Sequence, residues 1–156
     1  MSIALRLAPL VLLLAAPTMG QDRDNDFASG SDVAARVEAM GKAMKPGQGF
    51  AWEPVVRDGE RVAALEYWKA PGRPAVHPDQ AEYAIVIAGA GTLRTGKTME
   101  GGRLTQPGLI EGDRIVDAVD RPLKPGDVLL IPAGVPHWFG ITGDRLVLLG
   151  TKIPAK

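Results

Sequence analysis

The chain has 156 residues, of which 46% are hydrophobic, so length and composition predict one globular domain with a single core. Lys and Arg together number 18, as do Asp and Glu, and no basic block stands out. This balance argues against nucleic acid or an anionic membrane surface as a partner. The absence of cysteine excludes disulfides, thiolate metal ligands and a cysteine nucleophile.

The first 20 residues differ in kind from the rest. Arg6 precedes an almost wholly apolar run, residues 7–16, and small residues stand at −3 and −1 before Gln21. This order predicts a secretory signal peptide, residues 1–20, and therefore export to the periplasm or the extracellular space. The apolar run is short of the roughly 20 residues that span a bilayer, so no stable membrane insertion is expected after cleavage.

Residues 21–44 are predicted to form a loose polar segment followed by a short helix. Ser31 is the candidate N-cap of a helix over residues 32–44, which Lys45-Pro46-Gly47 would end. The apolar residues of this helix share one face, which we expect to pack against the outside of a sheet: Val33, Val37, Met40 and Met44.

Residues 45–156 follow a different pattern, in which short β-rich runs alternate with glycine and proline turns. Asp58-Gly59 suits a hairpin turn. Residues 99–113 contain four glycines and no clear period, and are predicted to be a long surface loop. Strands at this spacing predict an all-β fold, a single barrel or double-sheet roll. The expected strands are 50–56, 61–69, 82–88, 92–95, 115–119, 128–131, 137–141 and 145–151.

The only two histidines of the chain lie in patterns that suggest a metal site. His77 stands five residues before Glu82. His137 ends the pattern Gly-x5-Pro-x-Gly-x2-His, which begins at Gly126. Imidazole is the commonest metal ligand, and two imidazoles with one carboxylate suit zinc with an open position, or non-haem iron.

These two segments, residues 75–89 and 126–140, resemble the signature motifs of the cupin superfamily. The second motif has its glycines, proline and histidine at the family's spacing, with Ile141 in place of the family's asparagine. In the first motif, His77 aligns with the second family histidine, and Ala75 stands where the first would be.

The resemblance implies a cupin-like β-barrel (double-stranded β-helix or jelly roll) with a short N-terminal helix. It also implies that His77, Glu82 and His137 surround one divalent ion, Zn, Mn or Fe, and that the chain forms a homodimer. Export favours zinc or manganese, since iron(II) oxidises readily outside the cytoplasm.

Two functions remain open for such a pocket. The first is a metal-dependent enzyme acting on a small oxygenated molecule by dioxygenase-, isomerase- or lyase-type chemistry. The alternative is a non-catalytic small-molecule binding protein with a metal-free or weakly metal-binding pocket; a structural or interaction domain is a third reading. Glu66 and Tyr67 are candidate bases on a neighbouring strand, but they face opposite ways, and Glu66 is expected at the surface.

Residues 91–98 match the phosphate-binding pattern Gly-x4-Gly-Lys-Thr literally. That loop functions between a strand and a helix, where backbone N–H groups meet phosphate. The following Met-Glu-Gly-Gly is a poor helix start, so nucleotide binding is not expected.

Overall fold

The computed structural model describes residues 26–155. The predicted signal peptide and the first residues of the predicted loose segment lie outside this range. Within it, no helix is long and apolar enough to cross a membrane. The described elements are α1 (Gly30–Ala43), β1 (Phe50–Asp58), β2 (Arg61–Trp68), β3 (Ala75–Val76), β4 (Gln80–Thr95), β5 (Thr98–Glu100), β6 (Arg103–Gln106), β7 (Leu109–Glu111), β8 (Arg114–Val116), β9 (Val119–Leu123), β10 (Val128–Ile131) and β11 (His137–Pro154).

The two long strands, β4 and β11, form the centre of a curled nine-stranded sheet. They pair antiparallel along almost their whole length. The other edge of β11 pairs with β2 and β3. Beyond β2 lies β1, and beyond β3 lie β7 and then β6. Strand β4 also pairs with β9 and β10. Strands β5 and β8 form a separate two-stranded sheet. The prediction of an all-β barrel with a short N-terminal helix is therefore confirmed.

Two pairs of predicted strands are each one continuous strand. Residues 82–88 and 92–95 join in β4, because Gly89 has φ 76° and bends the chain without leaving the ladder. Residues 137–141 and 145–151 join in β11, where the register shifts between Ile141 and Leu146. Such a bulge bends a strand while keeping it in the sheet.

The sheet buries apolar side chains on both faces. The interior core comprises Ala84, Val86, Leu93, Leu123, Leu129, Ile131, Phe139, Leu146 and Leu148. The opposite face packs against the helix, through Val37, Met40, Met44, Val55, Leu65, Tyr67 and Val147. The expectation that the helix stripe packs against the outside of the sheet is confirmed.

The predicted start of the helix was wrong. Ser29, not Ser31, is the N-cap, and α1 begins at Gly30. The Ser29 hydroxyl accepts a hydrogen bond from the Asp32 backbone N–H at 3.1 Å, and the Asp32 carboxylate accepts one from the Ser29 N–H at 3.1 Å. This reciprocal capping box satisfies two N–H groups at once, which fixes the helix start two residues earlier than predicted.

The predicted loop over residues 99–113 was also wrong, because it contains β6, β7 and most of β5. Every residue of β6 is exposed, so this strand lacks the apolar alternation by which strands are found in sequence. It is held instead by pairing with β7, which pairs in turn with β3. The segment 91–98 runs from β4 into strand β5 rather than into a helix, which agrees with the rejection of a phosphate-binding loop.

Candidate metal centre

The fold brings together the three side chains selected from the sequence. His77 follows β3, Glu82 lies in β4, and His137 is the first residue of β11. One ligand atom from each lies within 4.8 Å of the others. Oε2 of Glu82 is 3.4 Å from Nε2 of His137 and 3.6 Å from Nε2 of His77. Glu82 and His137 are only 4% and 3% exposed, so the cluster is largely removed from water.

Strand alternation directs Glu82 into the barrel. In β4, Glu82, Ala84 and Val86 are buried, while the residues between them are less so. This is the period-two pattern of a strand with one face on the core. Glu82 lies opposite Ile131 of β10, so a buried carboxylate lies beside an apolar wall.

Backbone carbonyls orient both imidazoles. Nδ1 of His137 lies 3.0 Å from the Val135 carbonyl oxygen, and Nδ1 of His77 lies 3.2 Å from that of Gly108. A carbonyl only accepts hydrogen bonds, so each Nδ1 is the donor, and in the neutral rings each Nε2 keeps its lone pair. Both Nε2 atoms lie within 3.6 Å of Oε2 of Glu82. This outer hydrogen bonding is typical of metal-ligating histidines.

The electrostatics of the cluster favour a neutral His77 beside an ionised Glu82. Burial and the nearby Lys152 lower the pKa of His77. Burial alone would raise the pKa of Glu82, but a hydrogen bond from Nε2 of His137, which donates when that ring is protonated, and the charge and hydrogen bond of Lys152 lower that pKa to about 2. Neutral imidazole and carboxylate are the protonation states that bind metal.

Lys152 is a member of the site that sequence reasoning missed. It lies opposite Glu82 in the β4–β11 pairing, and its Nζ donates a hydrogen bond to Oε2 of Glu82. The predicted last strand stopped at residue 151, which left Lys152 outside the sheet. Leu146 and Leu148 are inward-facing residues of β11, so one more residue of strand would have placed Lys152 on the same face.

The expectation that Glu66 lies at the surface was wrong. Glu66 is partly buried in β2, opposite Leu148 of β11, and accepts a hydrogen bond from Nε1 of Trp68 at 3.4 Å. Burial and the Glu82 carboxylate raise the pKa of Glu66 to about 7. Its neighbour Tyr67 faces the helix side, as the opposed orientation of the two side chains requires.

Ala75 lies beside the cluster. In the β3–β11 pairing it is directly opposite His137. Opposite residues in an antiparallel pair project from the same face. The position that lacks the family histidine therefore shares the face of His137.

An open cavity of about 770 Å³ adjoins the cluster. Lys152 and Glu66 line it, together with Trp52, Arg61 and Gln80. This volume lies within the range of small-molecule sites. None of the three clustered side chains lines this cavity; Lys152, whose ammonium contacts Glu82, is the link between the cavity and the cluster.

Several solved structures share this fold at low sequence identity. TT1209 from Thermus thermophilus is 17% identical over 74% of this chain and 93% of that chain, with a TM-score of 0.51. An uncharacterized conserved protein with a double-stranded beta-helix domain from Klebsiella pneumoniae is 15% identical over 76% and 86%, with a TM-score of 0.52. Hydroquinone 1,2-dioxygenase PnpCD, solved with Cd²⁺ and 4-hydroxybenzonitrile, is 17% identical over 99% and 92%, with a TM-score of 0.60.

At these low identities, the likeness shows a common fold but not a common activity or ligand. No curated protein matches the chain in sequence. The family model described as Cupin matches residues 64–153, which hold all three clustered side chains and Lys152. Since this match spans more than half of the chain and the barrel agrees with it, the protein belongs to the cupin family.

Proposed function

We propose that this cupin binds one divalent metal ion through His77, Glu82 and His137, and that it is an enzyme acting on a small oxygenated molecule. One observation carries the proposal: both Nε2 atoms face Oε2 of Glu82 while both Nδ1 atoms are held by carbonyls. Three potential ligand atoms that converge in a buried place are suited to holding a cation. Two imidazoles and a carboxylate suit zinc, manganese or non-haem iron.

The chemistry at this site depends on how many coordination positions of the ion the protein leaves unfilled. Three protein ligands leave coordination positions for water or substrate, and the bound ion would supply Lewis-acid chemistry at a substrate oxygen. Glu66, with a pKa near 7, is the candidate to hold or release a proton at a carboxylate oxygen on the cavity wall. Dioxygenase-, isomerase- and lyase-type reactions all fit this arrangement, and a metal-bound dioxygenase shares the fold.

A second candidate is a non-catalytic small-molecule binding protein whose pocket holds no metal. The ion pair between Lys152 and Glu82 favours it, because Lys152 already supplies the positive charge that a buried carboxylate needs. The histidines would then be hydrogen-bonding residues of a polar pocket.

Metal analysis separates the two candidates. Purified protein is stripped with a chelator and reconstituted separately with Zn²⁺, Mn²⁺ or, without oxygen, Fe²⁺, and its metal content is measured by mass spectrometry. We expect about one equivalent per chain and a large loss in Glu82→Gln, because the amide removes the anionic ligand. Glu60→Gln, at an exposed position, is the matched control.

Failure to take up any of the three ions would refute the metal site and favour the second candidate. Turnover assays on the metal-loaded protein then separate an enzyme from a metal-containing binding protein. Candidate substrates are small molecules with carbonyl, carboxylate or phenolic oxygens, which a Lewis acid can polarise.

A further inference from the structure

Lys152 carries a positive charge into the place where the metal site is proposed. It is paired with Glu82 across two central strands, β4 and β11. Its Nζ donates to Oε2 of Glu82, the oxygen that also faces the two histidine Nε2 atoms. One carboxylate oxygen is thus both the partner of the lysine and the proposed ligand of the ion.

The ion pair compensates the buried charge of Glu82 when no metal is bound. Glu82 is 4% exposed, and an ionised carboxylate so deeply buried is costly unless it is paired. Within residues 26–155, Lys152 is the only lysine or arginine whose nitrogen lies within 4.0 Å of this carboxylate. Lys152 therefore supplies to Glu82 the positive charge that a bound metal ion would supply.

We propose that Lys152 competes with the divalent ion for Glu82 and thereby sets a lower metal affinity than the three ligands alone would give. This inference rests on the metal site proposed above. A bound ion either displaces the ammonium, so that the ion pair is lost, or leaves it nearby, so that two cations repel each other. Both effects oppose metal binding, and both disappear when residue 152 is neutral.

The Lys152 side chain has space to move away from Glu82. Its side chain is 31% exposed, and it lines the cavity of about 770 Å³ that adjoins the cluster. Rotation about the side-chain torsions can carry the ammonium from Glu82 towards water while β4 and β11 stay paired. The divalent ion can therefore replace the Lys152 ammonium at Glu82 without unfolding of the protein.

The test measures Zn²⁺ dissociation constants by competition with a chromophoric chelator, at one pH and one salt concentration. Lys152→Met, which keeps the apolar stem, is expected to bind Zn²⁺ at least about tenfold more tightly than the wild type. Lys152→Arg keeps the cation and is expected to stay close to wild type. Lys97→Met removes one positive charge from an exposed position, so it controls for net charge.

Thermal unfolding gives a second readout. Metal-free Lys152→Met is expected to melt at a lower temperature than the wild type, because Glu82 loses its partner, and to gain more on Zn²⁺ addition. If this variant does not fold without metal, Lys152→Gln takes its place. Its neutral amide keeps a hydrogen-bond donor near Glu82 without the positive charge, and the expected tightening is in the same direction.

The outcomes separate this inference from the metal site itself. Equal or weaker Zn²⁺ binding by both neutral variants, with normal binding by the wild type, would overturn the competition and leave the metal site standing. The absence of Zn²⁺ binding in the wild type and in every variant would refute the metal site, and the inference with it. Binding by the neutral variants alone would support the competition and show that Lys152 keeps the natural site metal-free.

Discussion

The backbone N–H of Gly134 donates a hydrogen bond to the carbonyl oxygen of His77 at 2.8 Å. This bond joins the turn before His137 to the segment that carries the other histidine. The same turn is closed by a 3.2 Å bond from the Val135 N–H to the Pro132 carbonyl. The two histidine-bearing segments, although far apart in sequence, are therefore positioned as one unit.

Gly134→Ala should destabilise the protein and weaken Zn²⁺ binding together. Gly134 has φ 76°, a conformation that costs an L-residue about 1–2 kcal/mol. An added Cβ meets no atom within 4 Å, so backbone strain is the only cost. Differential scanning calorimetry and Zn²⁺ titration measure the two effects. Gly143→Ala is the control, since that glycine is equally open but has no positive φ; similar losses in both variants would contradict the strain argument.

Gly89→Ala should cost more than Gly134→Ala. Both glycines have φ 76°, but a Cβ on Gly89 would collide with the backbone carbonyl of Arg145 on the paired strand. Because that atom is backbone, relief requires β4 and β11 to separate locally. We expect the lower melting temperature of the two variants, or failure to fold, in calorimetry and circular dichroism. Equal stability of the two variants would show that β4 and β11 can separate locally at little cost in free energy.

The cluster was predicted chiefly from the motif resemblance, and local rules placed only single members of it. Period-two alternation directs Glu82 inward, and the glycine and proline residues before His137 mark where its strand begins. The motif resemblance then joined the two segments. Strand ends were less predictable, since Gly89 bends β4 without ending it.

Lys152 and Glu66 could not be placed from local pattern. Lys152 meets Glu82 across 70 positions of sequence, and only the register of β11 on β4 sets that contact. Glu66 faces inward because β2 pairs with the same strand β11, opposite Leu148. A lysine and a glutamate in amphipathic strands are ordinarily assigned to the solvent face. The positions of Lys152 and Glu66 in the site thus depend on the long-range pairing of β11 with β4 and β2.

Glu66→Gln should stabilise the metal-free protein at pH 8 and have little effect at pH 4. Burial and the Glu82 carboxylate raise the pKa of Glu66 from its ordinary value of 4.5 to about 7. The folded state therefore resists ionisation, and the free energy of unfolding falls as pH rises from about 4.5 to about 7. A neutral amide removes this penalty, so the melting temperature should rise by several degrees at pH 8.

The measurement is thermal unfolding at a series of pH values in the presence of a chelator. Glu60→Gln, at the exposed end of the β1–β2 hairpin, controls for the loss of one negative charge. A stabilisation by Glu66→Gln that is the same at pH 4 and pH 8 would contradict the raised pKa. So would an equal effect of Glu60→Gln.

Ala75→His should complete a four-ligand site. Ala75 lies directly opposite His137, so a histidine there projects from the same face, beside the imidazoles already present. We expect Zn²⁺ to bind at least about tenfold more tightly, because a fourth nitrogen closes the coordination shell. Any activity that needs an open coordination position should fall at the same time. Zn²⁺ competition titration measures the first effect, and turnover of the metal-loaded protein measures the second.

Val76→His is the matched control for this substitution. Val76 is the next residue of β3 and pairs with Ile110, so strand alternation turns its side chain to the opposite face. It adds the same imidazole to the same strand but out of reach of Glu82. Tightening by Ala75→His alone would support the alignment of Ala75 with the missing family histidine. Equal Zn²⁺ affinity in wild type and Ala75→His, or equal tightening by both variants, would show that position 75 does not face the ion, whatever the strand register suggests.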